Sequence, residues 1–167
     1  MGAGKTAVGR QLASKLGLRF FDSDHEIEAR TGVDIPYIFE KEGERGFRER
    51  EREVIVELTT MTSIVLATGG GAVLDASTRA RLHETGTVVY LDASIEQQLH
   101  RTGRSPTRPL LMTGDPRTVL TELRAMRAPL YDEIADIRID TTGKRVGNVV
   151  SLPERELAQR ELPPLQT

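Results

Sequence analysis

The sequence has no cysteine, which excludes disulfides, thiolate nucleophiles and cysteine–zinc sites together. Its three scattered histidines argue against a histidine-based metal site. Charge of one sign is also lacking: 23 Lys+Arg against 25 Asp+Glu leave −2. That excludes a nucleic-acid binder held mainly by net charge but leaves room for a local cationic pocket. No apolar run approaches the ~20 residues of a membrane span, and no secretory signal opens the chain. The expectation is a soluble, cytoplasmic protein with neither membrane nor nucleic acid as partner. What is present is ordinary: 38% hydrophobic residues and 15 glycines in 167 residues. That is one domain's length, enough to bury about two thirds of the unfolded surface around one core.

The first residues, Met1-Gly2-Ala3-Gly4-Lys5-Thr6, fit the second half of the phosphate-binding pattern G-x-x-x-x-G-K-[ST]. The first glycine of that pattern, and the buried strand that normally leads into it, would lie upstream of Met1. Val8, Leu12 and Leu16 then recur every fourth residue and Gly17 stands at a helix C-cap position, so Gly-Lys-Thr opens an amphipathic helix. Such a helix start offers free N–H groups and the positive end of a dipole to an anion. Lys5 would reach the outer phosphates of a nucleotide, and the Thr6 hydroxyl would ligate Mg²⁺.

Strand and helix signals alternate beyond it. Leu18–Phe21 reads as a strand ending in Asp22-Ser23-Asp24, and Asp24–Arg30 as a helix stopped by Gly32. Pro36–Glu42 reads as a helix ending at Gly43, and Glu44–Thr60 as another carrying Phe47, Val54, Ile55 and Leu58. Strands are predicted at Ile64–Ala67, Thr87–Leu91 and Ile137–Ile139, with helices at Asp75–Glu84, from a Ser94/Gln97 capping box to about Arg101, and at Pro116–Met126. Near-continuous apolar strands alternating with helices predict an α/β fold of three layers: a parallel sheet with helices on both faces. Ligands of such sheets sit beyond the carboxyl ends of the strands. The Asp pair, the Gly69-Gly70-Gly71 triplet and the phosphate loop would all converge there.

Each motif has a bland alternative. Asp22 and Asp24 would point the same way if the chain were extended, one toward a Mg²⁺ shell and one toward a substrate hydroxyl; the same residues make an ordinary helix N-cap. The glycine triplet permits close approach of main chain to ligand or merely a tight turn with positive φ. Arg48, with Glu44 and Glu51 at i−4 and i+3, is a phosphate or carboxylate fork or one more surface ion pair among Arg45, Arg50 and Arg52. Arg108 falls in a Gly/Pro/Arg/Thr-rich loop and Arg127 near the end of a helix. Periodicity does not show that Lys5, Arg48, Arg108 and Arg127 assemble in one cleft.

Taken together, Met1–Thr6, Phe21-Asp-Ser-Asp24, Gly46-Phe-Arg48 with Glu51, Ala67-Thr-Gly-Gly-Gly-Ala72, Arg108-Pro-Leu-Leu111 and Arg127-Ala-Pro-Leu-Tyr131 resemble the shikimate kinases, small P-loop kinases of aromatic amino-acid biosynthesis. The resemblance runs to about Asp140. It implies a five-stranded parallel sheet of the nucleoside-monophosphate-kinase type, ATP and Mg²⁺ as cofactors, and phosphoryl transfer to the 3-hydroxyl of shikimate. Met1, Gly2, Ala3, Gly4, Lys5 and Thr6 would hold the nucleotide, with Thr6 and Asp22 on the metal side. Lys5, Asp24 and Arg108 would be the catalytic residues, Asp24 as candidate base. Asp24, Arg48, Gly69, Gly70, Gly71 and Arg127 would form the shikimate pocket. Arg101, Lys144 and Arg145 would lie near the adenine. Within one kinase domain, residues 1–167, the resemblance implies a substrate-binding segment at about 24–60 and a mobile lid at about 102–116. Members of the family are commonly monomers, and a monomer is the expectation.

Two departures stand out. The family's first strand and first loop glycine are missing from the chain as written, so it is expected to fold poorly, or to be much less active than an N-terminally extended form. After Val149-Val150 the sequence meets Pro153 and then a polar run, so 151–167 is expected to be a short helix or a disordered tail. Other readings are a different small-molecule P-loop kinase, of the gluconate or nucleoside-monophosphate type, and an inactive, truncated nucleotide-binding remnant.

Overall fold

The computed structural model describes residues 2–102 and 114–159. Seven helices alternate with four strands: α1 (Lys5–Leu16), β1 (Arg19–Asp22), α2 (Ser23–Thr31), α3 (Ile35–Leu58), β2 (Ile64–Ala67), α4 (Ala76–Thr85), β3 (Val89–Asp92), α5 (Ile95–Thr102), α6 (Pro116–Ile134), β4 (Ile137–Asp140) and α7 (Val146–Gln159). All pairing is parallel, as continuous apolar strands require. Among the described residues it falls into two ladders, β1 with β2 (Arg19 opposite Ile64) and β3 with β4 (Val89 opposite Ile137).

Side chains alternate across the strands and so define two covered faces. On one face Val8 and Leu12 of α1 pack with Ile137, Ile139, Val149 and Val150, and Val65, Val89 and Leu91 join them. Between Val89 and Leu91, Tyr90 points to the opposite face and stacks on Tyr131 of α6, ring centroids 4.4 Å apart. A second core gathers Ile27, Ile38, Phe47, Val54 and Leu58, with Phe21 against it. That core fixes α2 and α3 over the carboxyl end of β1, where the substrate-binding segment was expected.

Two helix boundaries differ from the sequence reading. The stretches on either side of Gly43 form one helical unit with a kink, Gly43 holding φ 69°, ψ −177°, a conformation open essentially to glycine alone. Helix α6 runs on to Ile134 through Pro129. Pro129 and Ala125 both lie on its exposed face, so the carbonyl left without its amide donor can be solvated. Helix α7 runs through the buried Pro153 to Gln159, so the described part of the tail is helical, one of the two alternatives the sequence left open; residues 160–167 lie outside the described residues.

Candidate active site

The phosphate loop is built as the sequence predicts. Gly4 is the N-cap of α1 with φ 89°, the left-handed region that glycine enters without steric cost. No side chain caps the helix and its first turn holds no acid, so its amides and dipole are directed at whatever anion lies in front. Arg101 Nη1 donates to the Gly2 carbonyl at 2.8 Å, which ties α5 to the loop. Gln97, with its amide turned to match its neighbours, links Arg101 to the turn at Thr141–Gly143. Lys144 and Arg145 follow that turn and are exposed. Arg101 thus borders one side of the loop. Met1 and Arg108 lie outside the described residues, as does most of the expected lid.

The Asp-Ser-Asp stretch is a helix cap that also reaches the phosphate loop. Asp22 is the N-cap of α2, its Oδ1 accepting from the Asp24 amide at 3.1 Å. Its Oδ2 accepts from the Thr6 hydroxyl at 2.7 Å. The condition of an extended chain is not met: Asp24 stands in the first turn of α2, as the helical reading of Asp24–Arg30 has it. Burial raises the Asp24 carboxyl above the ordinary aspartate range, and the charge of Asp22 adds to this; Lys5 and Arg48 oppose it. Ser23, between them and buried, accepts the Gly69 amide at 3.1 Å, which docks the glycine triplet onto α2.

The triplet is a close approach, not a positive-φ turn. Gly71 has φ −102°. A Cβ at Gly69 would collide with the Glu51 carboxylate and crowd Asp24 Oδ1, and one at Gly71 would collide with the Arg48 guanidinium. Arg48 itself donates to Glu51 Oε2 at 2.6 Å and to Glu44 Oε1 at 3.0 Å. The pair with Glu44 is the surface bridge foreseen. The pair with Glu51 is not, because the Glu51 side chain is only 2% exposed. Burial pushes the Glu51 carboxyl up while Arg48 holds it down. Arg127, 5% exposed, has its guanidinium pKa lowered by burial. One turn further along α6, the Tyr131 hydroxyl donates to the Gly70 carbonyl at 2.7 Å; burial pushes that phenol up to about 12.

Glu51 and Tyr131 stand in the motif segments quoted above but were given no place in the site by the sequence reading, and both join this cluster. A signal for Glu51 existed: with Phe47, Val54, Ile55 and Leu58 it occupies the apolar stripe of α3, where an unpaired acid is costly. Among the described residues, three buried side-chain atoms lack a hydrogen-bond partner: Asp24 Oδ1, Glu51 Oε1 and Arg127 Nε. All three belong to this cluster. Native proteins leave few such atoms, and here they form a set of two acceptors and one cationic donor. A hollow of about 110 Å³ is bordered by Lys5, Thr68, Gly69, Arg124, Arg127 and Tyr131, so the phosphate loop and Arg127 share one space.

A phosphate loop at the carboxyl edge of a helix-flanked parallel fold, with an acid and two arginines facing it, defines a P-loop kinase acting on a small polar acceptor. A sequence profile of the family "Shikimate kinase" matches residues 1–158. The chain belongs to the shikimate kinase family. It is 57% identical over 149 residues to a shikimate kinase of Thiobacillus denitrificans, covering 89% of this chain and 81% of that one. To one of Pseudomonas syringae pv. tomato it is 57% identical over 164 residues, covering 98% and 94%. Among solved structures, a shikimate kinase from Acinetobacter baumannii in complex with shikimate superposes with a TM-score of 0.93 at 48% identity, covering 98% of this chain and 91% of that one. One from Aquifex aeolicus gives 0.80 at 33%, covering 97% and 94%. No helix among the described residues is long and apolar enough to cross a membrane.

Proposed function

We propose that this chain transfers the γ-phosphoryl group of ATP to the 3-hydroxyl of shikimate, giving shikimate 3-phosphate for aromatic amino-acid synthesis. The observation that carries the reading is the trio of unpartnered atoms, Asp24 Oδ1, Glu51 Oε1 and Arg127 Nε, together with a helix start that no side chain caps. Shikimate offers one carboxylate and three hydroxyls. Arg127 and Arg48 are the forks for its carboxylate, and Asp24 accepts a hydrogen bond, then a proton, from the attacking hydroxyl. The raised pKa of Asp24 makes it a better proton acceptor than an exposed aspartate. Gly70 and Gly71 bring main chain against the ring.

Phosphoryl transfer needs little covalent help, so charge placement does most of the work. Lys5 and the α1 amides hold the outer phosphates, and Arg108 is assigned the second cation on the resemblance alone. Mg²⁺ suits the pair Thr6 Oγ1 and Asp22 Oδ2 (2.7 Å apart): a hydroxyl and a carboxylate are hard oxygen donors of the kind this ion takes in small number beside substrate phosphates. Bound there it would neutralise phosphate charge. Arg101, Lys144 and Arg145 take the adenine side. We read the protein as a cytoplasmic monomer with neither membrane nor nucleic acid as partner, supported by its near-zero charge; its sedimentation mass checks the first point.

The test is ADP release coupled to a reporter, with ATP, Mg²⁺ and shikimate, set against gluconate and nucleoside monophosphates. Turnover should require shikimate, and Asp24→Asn and Arg127→Ala should each lower kcat/KM by about a hundredfold or more. Phosphorylation of another acceptor in preference, or both variants at parent rate, removes the reading.

A further inference from the structure

Helix α6 is fastened to the β3–β4 ladder on both sides of Arg127. One turn before it, Arg124 donates to Asp92 Oδ2 at 2.8 Å and to the Ala93 carbonyl at 3.1 Å. Beyond it, Asp132 accepts from Arg138 Nη1 at 2.8 Å, and Arg138 Nη2 reaches the same Asp92 oxygen at 3.0 Å. Arg138 stands opposite Tyr90 in the ladder, so the two side chains share a face of the strands. The two carboxylates hold the Arg138 guanidinium over the Tyr90 ring, 5.3 Å from its centroid, within the range of cation–π attraction. Tyr90 in turn stacks on Tyr131, the ring planes 12° apart.

The stack bears on the one atom of Tyr131 that touches the glycine triplet. The Tyr131 hydroxyl donates to the Gly70 carbonyl at 2.7 Å. A flip of the ring leaves that oxygen in place, because it lies on the flip axis. A swing about χ1 would carry it away, and the buried Tyr90 ring lies against the face of Tyr131 and opposes that swing. The Tyr90 hydroxyl adds little: its contact with Asp92 Oδ1 is 3.5 Å, beyond the usual O–H···O length. Tyr131 and Arg127 stand four residues apart on one face of α6, so the same stack steadies both.

We propose that Tyr90 is a positioning residue of the acid pocket. Its ring fixes Tyr131 against Gly70 and so sets the triplet, whose Gly69 lies against Asp24 and Glu51 and whose Gly71 lies against Arg48. The kinetic consequence rests on the substrate proposed above; the geometric part, that Tyr90 holds the triplet, does not.

The test compares Tyr90→Leu and Tyr90→Phe with the parent, each as the full chain. Leucine keeps apolar bulk and removes the ring plane. KM for shikimate should rise about three- to tenfold, what one aromatic pair contributes, while kcat and KM for ATP stay within about twofold. Tyr90→Phe, which keeps the ring, should match the parent. The Ala72 and Leu74 amides, bonded to the Gly69 and Gly71 carbonyls, should exchange about tenfold faster in Tyr90→Leu when measured against the amides of α1. In a Tyr131→Phe background Tyr90→Leu should raise KM by less than about twofold, since the hydroxyl it positions is gone. A merely structural tyrosine would lower the melting temperature and leave KM and the relative exchange unchanged; that outcome overturns the proposal. So does a phenylalanine variant as poor as the leucine one, or an equal rise of KM in both backgrounds. If Tyr90→Leu does not fold, Arg138→Gln, at a half-exposed position, replaces it and should move the same two readouts about twofold; no change in either overturns the proposal. A parent that fails to phosphorylate shikimate removes the substrate assignment instead, and the exchange of Ala72 and Leu74 then decides by itself whether Tyr90 holds the triplet.

Discussion

Replacing Gly71 by alanine separates the close-approach role of the glycine triplet from every other explanation of it. The backbone there has φ −102°, which alanine adopts, so no strain arises in the chain; the loss of unfolded freedom even favours the variant by ~0.4–1 kcal/mol. The added methyl, however, falls on the Arg48 guanidinium. Arg48 must swing away from Glu51, giving up a 2.6 Å bond to a carboxylate 2% exposed. A hydrogen bond to a charged group contributes ~1.5–3 kcal/mol. The net loss is therefore about 1–2 kcal/mol, a fall in melting temperature of roughly 2–8 °C for a domain of this size. Arg48 would also leave the position from which it faces the substrate carboxylate, so KM for shikimate should rise about 10–100-fold, ~1.4–2.8 kcal/mol, with KM for ATP little changed. The decisive assay is a cycle with Arg48→Ala. Without the guanidinium there is nothing to strike, and Gly71→Ala should then cost less than ~0.5 kcal/mol. An equal cost in both backgrounds, or a KM for shikimate within twofold of the parent, would refute the argument.

Asp24 carries a pH prediction. Its carboxyl is raised by burial, so the acid limb of kcat/KM for shikimate should lie above the ordinary aspartate value, and Arg48→Met, by deleting a cation that lowers it, should move the limb higher still; a pH–rate profile with an unmoved limb contradicts this. The same shift sets a stability trend: an acid whose folded pKa is raised favours the fold fully below its unfolded pKa and loses that advantage as pH rises through the folded one. Asp24→Asn should accordingly melt higher than the parent at neutral pH and equally at about pH 3, as calorimetry at both would show. Tyr131→Phe removes the donor to the Gly70 carbonyl and should lower kcat/KM about 5–30-fold, ~1–2 kcal/mol, mostly through KM for shikimate in steady-state kinetics. Gly43→Ala should cost ~1–3 kcal/mol in denaturant titrations, since φ 69°, ψ −177° is closed to residues with a Cβ.

Much of this was legible in the residues because local rules and tertiary fold agree. Val8, Leu12 and Leu16 at a fourfold spacing closed by Gly17 gave α1 to within a residue, and Ile64–Ala67 is the strand predicted. The helix predicted to end near Met126 runs on through Pro129 to Ile134, and the tail left open between helix and disorder is helical through Pro153 to Gln159. The capping box at Ser94 formed by half: its hydroxyl accepts the Gln97 amide, while the Ser94 amide is taken by Thr142 from 48 residues away. No local pattern announces a partner at that separation. The Tyr131–Gly70 bond, across 61 residues, was hidden for the same reason.

Under the proposed function, the bland and functional readings of the site motifs are one physical arrangement. Asp22 caps α2 with one oxygen and meets Thr6 with the other, so the bond that starts α2 also aims the carboxylate proposed for the metal. Arg48 makes the surface pair with Glu44 and the buried pair with Glu51 through a single guanidinium, so the exposed contact orients the one that matters. Burial disfavours charge of either sign: it raises Asp24 and Glu51 and lowers Arg127. A site optimised for the stability of the free protein would replace such groups by apolar ones. That three of their atoms stay unpartnered is a cost in stability that a ligand with the opposite complement of charges and hydroxyls removes, and it places the specificity of the pocket in polar pairing rather than in shape. Polar pairing of this kind rejects an acceptor lacking one hydroxyl far more strongly than an apolar pocket rejects one lacking a methylene.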